Sequence, residues 1–353
     1  MKAIITAGGH GTRLRPITHT QNKHLIPIAN KFMLDYAIEY VRDSGISDIG
    51  IIINANDESI KNEFKDGSSR GVNITYIPQE APLGLAHVIK ISEKFINNEP
   101  FIFYLGDNIL VGGVAKFIKE FRQENSNCHL ALSKVPDPNR FGVAEVANNK
   151  IISIEEKPKN PKSDLAVTGI YLYDPTIFEA VNNIKPSARG ELEISDAHQY
   201  LLDHGFDISY SVITGWWKDT GKPSDLLSAN QLVLDNIEND IKGEIINTTI
   251  TGKAVISENV RVSNSKIDGP VIINEDTIIE NAHITPHTAI GKRCKVTNST
   301  VGYSIIMSDS VIRDVSDKVT NSLLGIDVEI IGNHKDQSAH RFILGDQSRV
   351  EVD

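Results

Sequence analysis

Apolar residues in the first part of the chain come in short runs separated by amphipathic stretches. Lys2 to Ala7 is an isoleucine-rich run followed at once by Gly8, Gly9 and Gly11, which predicts a buried strand breaking into a glycine loop. Leu34, Ala37, Ile38 and Val41 have helical spacing and Gly45 ends the segment. Ile49 to Ile53 then reads as a second buried strand. A helix near Glu58 to Phe64, a strand at Asn73 to Ile77, a helix from Leu85 to Phe95 and a strand at Phe101 to Leu105 continue the alternation. Strand, helix, strand at this rhythm predicts parallel pairing in a layered α/β sheet, with ligands at the carboxyl ends of the strands.

From about residue 245 the period changes. Ile272, Ile278, Ile284, Ile290 and Val296 recur at intervals of six, and Ile250, Ile256 and Val262 form an earlier set. Intervals of five link Val262 to Ile267 and Ile272, and Val296 to Val301 and Ile306, before Ile312 resumes the count of six. Asn, Ser, Thr and Gly fill the gaps. This hexad predicts a parallel β-helix, in which short strands turn corners and stack on the next coil. The expected division is an α/β domain over 1–240 and a hexapeptide-repeat domain over 241–353. His283 and His287 fall in turn-like positions of this tail and are expected to be solvent-facing.

The chain has 353 residues, enough for these two domains. Its net charge of −10 argues against a nucleic-acid partner, so any anion-binding role must be focused at one place. The two cysteines, Cys128 and Cys294, lie far apart and form no CxxC or zinc pattern. Reduced thiols, with no signal peptide, lipidation motif or long apolar run, predict a cytoplasmic protein without a membrane partner.

The glycine loop is where chemistry enters. Exposed backbone N–H groups after a strand suit an anion, and Arg13, Arg15 and Lys23 add positive charge beside them. Two familiar phosphate loops fail here. Thr12 and Arg13 stand where a P-loop has Lys and Ser/Thr, and Leu14 replaces the third glycine of a dinucleotide fingerprint. The pattern present is G-G-x-G-T-R-L-x-P-x-T, followed by Lys23 ten residues after Arg13. It resembles the sugar-nucleotidyltransferases, and further stretches extend the resemblance: Gln79 to Ala86, Gly106-Asp107, Arg140 to Val143, Glu155 to Pro158, Val167 to Tyr171, Arg189 to Asp196 and Trp217 to Gly221. The closing residues, Arg341 to Ser348, are similar to the end of the long-form glucose-1-phosphate thymidylyltransferases. One departure is Phe32, where the family commonly has proline.

That resemblance implies a Rossmann-like layered α/β nucleotidyltransferase domain followed by a left-handed parallel β-helix. It implies that Gly8, Gly9, Gly11, Thr12 and Arg13 bind the nucleotide, with Gln79 on the pyrimidine edge and Pro82 and Gly84 close to the base. Gly142, Glu156, Lys157 and Val167 would take the sugar phosphate, with Arg13, Lys23 and Lys157 as the catalytic cations. Asp107 and Asp219 would share a Mg2+ ion, since magnesium usually takes one or two protein carboxylates plus substrate phosphates. Glu193 and Asp196 can be explained as acids at a helix start and are left out of the site. The implied substrates are dTTP and glucose 1-phosphate, and a homo-oligomer is implied as well. Rival readings are a uridylyltransferase or an enzyme activating another hexose phosphate, and a tail with a second, acyltransferase activity.

Overall fold

The computed structural model describes residues 1–332 and 347–351. The chain forms two compact units, one of Met1–His10 with Leu34–Asp219, the other of Gly11–Met33 with the chain from Thr220 onward. The glycine loop is thus where the backbone passes from the first unit into the second. The stretch 341–346 of the closing motif lies outside the described residues.

The first unit is built on a nine-stranded sheet. Its parallel half is β1 (Lys2–Thr6), β2 (Asp48–Asn54), β3 (Asn73–Gln79) and β4 (Phe101–Leu105), in the order β4-β1-β2-β3. These strands and the helices between them, α1 (Met33–Arg42), α2 (Ser59–Phe64) and α3 (Leu85–Ile96), match the alternation read from the sequence. Ile4, Ile5, Ile51 and Ile52 are buried because helices cover both sheet faces, which is why those strands read as unbroken apolar runs.

The other half of the sheet lies beyond the strands whose direction the sequence predicted, and it is mostly antiparallel. After β5 (Asn108–Leu110) and α4 (Ala115–Glu124) come β6 (Cys128–Lys134), β7 (Gly142–Ala147), β8 (Lys150–Glu156) and β9 (Leu165–Tyr173). β9 runs antiparallel to both β4 and β6, and β7 is antiparallel to β8. Asn148 and Asn149, both at positive φ, make the two-residue turn that joins β7 to β8. Such a turn matches the twist of an antiparallel pair and cannot lead into a crossover helix. The unit closes with α5 (Ile177–Asn183), α6 (Ile194–Asp203), β10 (Ile208–Val212) and β11 (Trp217–Asp219).

In the second unit, α7 (Pro223–Asp235) leads into three parallel sheets of six, six and five short strands. The first coils repeat every 17 residues, so Ile256 stacks on Ile273 and Ile273 on Ile290, after which Ile306 stacks on Ile290 and Leu324 on Ile306 at steps of 16 and 18. The β-helix is as expected, but its phase differs in one coil. The inward positions are Ile267, Ile273 and Ile279, fully buried, whereas Ile278 is 41% exposed and Ile272 is half-buried. The shorter step falls between Ile279 and Ile284, at the corner where Asn281 adopts the left-handed conformation at φ 49. Adjacent isoleucines hid this from a simple count. Among the described residues no helix is long and apolar enough to cross a membrane.

Two predictions follow from these packings. Ile279→Ala should destabilise the tail by roughly 2–5 kcal/mol and Ile278→Ala by about 0.5 kcal/mol or less, as read by urea denaturation; equal losses would reverse the assigned phase. In the first unit His198 is wholly buried with Nε2 2.6 Å from the Tyr173 hydroxyl, and burial lowers its pKa to about 3. The unfolded chain therefore binds this proton more readily. His198 favours the folded state fully above pH ~6.5, and that contribution falls by roughly 1.4 kcal/mol per pH unit as pH drops from there toward 3. A His198→Phe variant should show a flatter acid limb in stability measured against pH.

Candidate functional site

The first unit gathers the residues expected for a sugar phosphate. Gly142 opens β7 directly opposite Glu156 at the end of β8. A Cβ on Gly142 would overlap the Ser195 hydroxyl, lie 3.3 Å from Glu156 Oε2 and 3.6 Å from Val167 Cβ. The glycine is therefore required by this close approach. Lys157, just past the strand, is held at φ 44 with its N–H donating to the Phe141 carbonyl at 2.9 Å. A lysine in that backbone region is strained, and the bend re-aims its side chain, leaving Nζ 3.2 Å from Glu156 Oε1.

The segment set aside as a helix start turns out to complete this cluster. Ser195 donates to Glu156 Oε2 at 2.7 Å, and Arg189 Nη2 lies 3.7 Å from Glu156 Oε1. Arg189 is itself held by Glu193, which accepts from its Nη2 at 2.8 Å and from Ser187 at 2.7 Å. Burial, with Glu193 and then Glu156 nearby, raises the pKa of Asp196. Glu156 is thus fixed by one hydroxyl and two cations, and two of these three partners, Ser195 and Arg189, were missed by sequence reasoning. The full stretch was visible, but an acid near a helix N-terminus has an adequate local explanation that concealed the tertiary one.

Asp107 and Asp219 come from distant parts of the chain onto one antiparallel pair. β11 pairs with β5 so that Asp219 faces Asn108, at roughly 5 Å between backbones, with Asp107 the adjoining residue. Asn108 is buried, its amide donating to the Thr168 carbonyl at 2.6 Å and its own carbonyl accepting from Tyr104 at 2.9 Å. Among the described residues no group of three or more His, Cys, Asp or Glu could hold a metal. Carboxylate oxygens are the donor type a hard cation takes when substrate oxygens and water complete its shell, so the chemistry of Asp107 and Asp219 is compatible with a divalent ion.

The residues expected for the nucleotide lie on three segments of the chain. Gly8 packs its α-carbon against the Ile53 to Asn54 backbone, where a Cβ would sit 3.3 Å away, and Gly9 is exposed. Gln79 Nε2 lies 3.2 Å from His87 Nδ1 and donates to the Gly84 carbonyl at 3.5 Å. Gly84, at φ 98, could not carry a side chain because the Leu192 carbonyl occupies the space; Ala86 N–H bonds that carbonyl at 3.1 Å. Pro82 is exposed. Gly11, Thr12, Arg13 and Lys23 belong to the second unit. Gly11 sits at φ 60, with Thr18 donating to its carbonyl at 2.7 Å, and its α-carbon packs against Thr18 and Lys23. The Arg13 guanidinium lies over Gly221, whose added Cβ would be 2.9 Å from Nη2. Lys23 opens a short turn capped by Asn22, whose Oδ1 accepts from His24 N–H at 2.9 Å.

The tail histidines differ from the expectation. His283 lies on a strand with Nε2 2.7 Å from Asp268 Oδ2, and His287, at a corner with φ 61, sits 2.7 Å from Asp235 Oδ1 with a fifth of its side chain exposed. Both are tied to carboxylates and neither is a free loop histidine.

A family profile described as nucleotidyl transferase matches residues 2–236. A glucose-1-phosphate thymidylyltransferase of Streptomyces antibioticus is 43% identical over 355 aligned positions, covering all of this chain and 99% of its own length. A relative with the same name from Neisseria meningitidis is 43% identical but covers 68% of this chain and 85% of itself. A crystal structure from Bacillus anthracis, provisionally named as such an enzyme and holding sucrose, superposes with a TM-score of 0.64 at 41% identity, covering 68% of this chain and 97% of its own.

Gly142→Ala should cost about 1–3 kcal/mol by displacing Ser195 from Glu156, and Gly142→Ala combined with Ser195→Ala should recover most of that loss in a double-mutant denaturation cycle. A double variant no more stable than Gly142→Ala alone would remove the overlap as the reason for the glycine.

Proposed function

The chain belongs to the nucleotidyl transferase family, and from that premise we propose that it transfers a thymidylyl group from dTTP to glucose 1-phosphate, giving dTDP-glucose and pyrophosphate. The observation that carries this reading is the likeness to the Streptomyces enzyme over the whole length, tail included. An oxygen of the sugar phosphate attacks the α-phosphorus of the nucleotide in line, and the bond to pyrophosphate breaks. The attacking phosphate is already anionic near pH 7, so neither a protein nucleophile nor a strong base is required.

What remains for the protein is to hold two polyanions together and to offset charge moving onto the leaving group. In this reading Arg13 and Lys23 act on the triphosphate, beside the amides of Gly8, Gly9, Gly11 and Thr12. Gln79 takes the pyrimidine edge, with Pro82 and Gly84 near the base. The Leu192 carbonyl already explains why residue 84 is glycine, so that residue adds little to the base assignment. Lys157 takes the sugar's phosphate, and Gly142, Glu156 and Val167 take the hexose. Glu156, oriented by Ser195, is suited to accept from sugar hydroxyls, and Arg189 is added as the residue that shares its charge. Nucleotidyltransferases generally use a divalent metal; Asp107 and Asp219 would hold it, and we assign it as Mg2+, which neutralises phosphate charge when bound.

We further read residues 1–240 as the catalytic domain and 241–353 as the repeat domain of a cytoplasmic homo-oligomer. Telling thymine from uracil rests on one methyl group, worth about 1–3 kcal/mol, so some use of UTP fits the same site.

Lys23→Ala and Asp219→Asn should each lower turnover on the order of a hundredfold or more while leaving the circular dichroism spectrum unchanged. Pyrophosphate release measured for each nucleoside triphosphate against several sugar phosphates, with and without chelator, tests the substrates and the metal together. Preference for a purine nucleotide would overturn the reading.

A further inference from the structure

The chemistry proposed above gives the tail no part, yet within the second unit two asparagines bind it to the segment that carries Lys23. Asn230, on α7, is fully buried. Its Oδ1 accepts from the Ala29 N–H at 2.8 Å and its Nδ2 donates to the His287 carbonyl at 3.0 Å. Asn30 Nδ2 donates to the Ile290 carbonyl at 2.6 Å. An amide that meets a donor on one side and an acceptor on the other has a single satisfied orientation, so each bond fixes the other.

Ala29 and Asn30 are the two turn residues, at φ 45 and 61, of a hairpin in which Ile28 pairs with Lys31 and Pro27 with Phe32. From that turn back to Lys23 every step is tied. The Met33 N–H closes the hairpin base on the Ile26 carbonyl at 3.2 Å, and the Ile26 N–H bonds the Lys23 carbonyl at 3.1 Å. Ile26 and Ile28 are fully buried. The same α7 begins just beyond Gly221, over which the Arg13 guanidinium lies.

We propose that Asn230 is a positioning residue that passes the register of the β-helix corner at 287–290 to the segment bearing Lys23 and Arg13, so that the tail sets the placement of the triphosphate-binding cations. This rests on the reading that Lys23 acts on the triphosphate. A tail that merely adds mass or stability would leave substrate kinetics unchanged. A tail that holds the cations affects one substrate and spares the other.

The test is steady-state kinetics on full-length Asn230→Ala and Asn30→Ala, with Lys23→Ala alongside, at a temperature where each is folded by circular dichroism. For the asparagine variants kcat/KM for dTTP should fall about tenfold or more, while KM for glucose 1-phosphate stays within about twofold of wild type. Unchanged dTTP kinetics, or a loss shared equally by both substrates, overturns the proposal when Lys23→Ala is inactive. An active Lys23→Ala overturns instead the reading beneath it. Should Asn230→Ala fail to fold, hydrogen exchange on the wild-type protein decides. Adding dTTP should slow exchange in peptides covering 22–33 and also in those covering 285–291, and slowing confined to the first set overturns the coupling.

Discussion

The arrangement of the first unit depends on one buried hydrogen bond, from the Asn108 amide to the Thr168 carbonyl. β9 changes register between Val167 and Tyr171, and such a break leaves backbone groups that the sheet ladder does not satisfy. Asn108 supplies the missing donor. Gly169, at φ 85, lies where a Cβ would overlap the Leu105 side chain and come within 2.9 Å of the Asn108 amide nitrogen. A buried carbonyl without a partner costs roughly 1–3 kcal/mol, so β5 is held against β9 by that penalty. β11 then pairs with β5 so that Asp219 faces Asn108, the residue that follows Asp107.

The same device recurs in the tail with a different outcome. Asn247, Asn264, Asn281 and Asn298 occupy successive corners at φ 45 to 49, a conformation that asparagine tolerates better than most residues. Each lies one coil above the last, and Asn247 donates to Asn264 at 2.8 Å. Inside those corners, Ser265 and Ser299 hydroxyls accept backbone N–H groups from the next coil, as at Ala282 and Val315. At these corners the short strands turn with those backbone groups paired, and the aliphatic positions stack into a continuous core.

Charge is distributed to match. The protein carries a net −10, and around Gly142 two of the acidic groups, Glu156 and Glu193, share the Arg189 cation. Glu193 is taken up by Arg189 and Ser187, and Glu156 by Lys157, Arg189 and Ser195. Cations engaged in this way can exchange a carboxylate for a phosphate with little reorganisation, which is the requirement of a reaction whose barrier lies mostly in bringing like charges together.

Local pattern was enough to find the α/β alternation, the β-helix, the glycine loop and the carboxylates, because strand and coil periods, turn glycines and spaced motifs are written in neighbouring residues. The family resemblance pointed to Gly142, Glu156, Lys157 and Val167, and the fold brings Glu156 and Val167 beside Gly142 and Lys157 beside Glu156. Local pattern could not show that half the sheet runs antiparallel, that Ile279 and not Ile278 faces the coil interior, or that Arg189 and Ser195 close on Glu156. Nor could it show that the stretch 11–33 groups with the tail through Asn230. These depend on which partner satisfies a buried donor or fills a space beside a glycine, and that partner stands dozens of residues away. Sequence fixes the period of each element, whereas strand direction, coil phase and the pairing of buried polar groups are decided only when the elements pack.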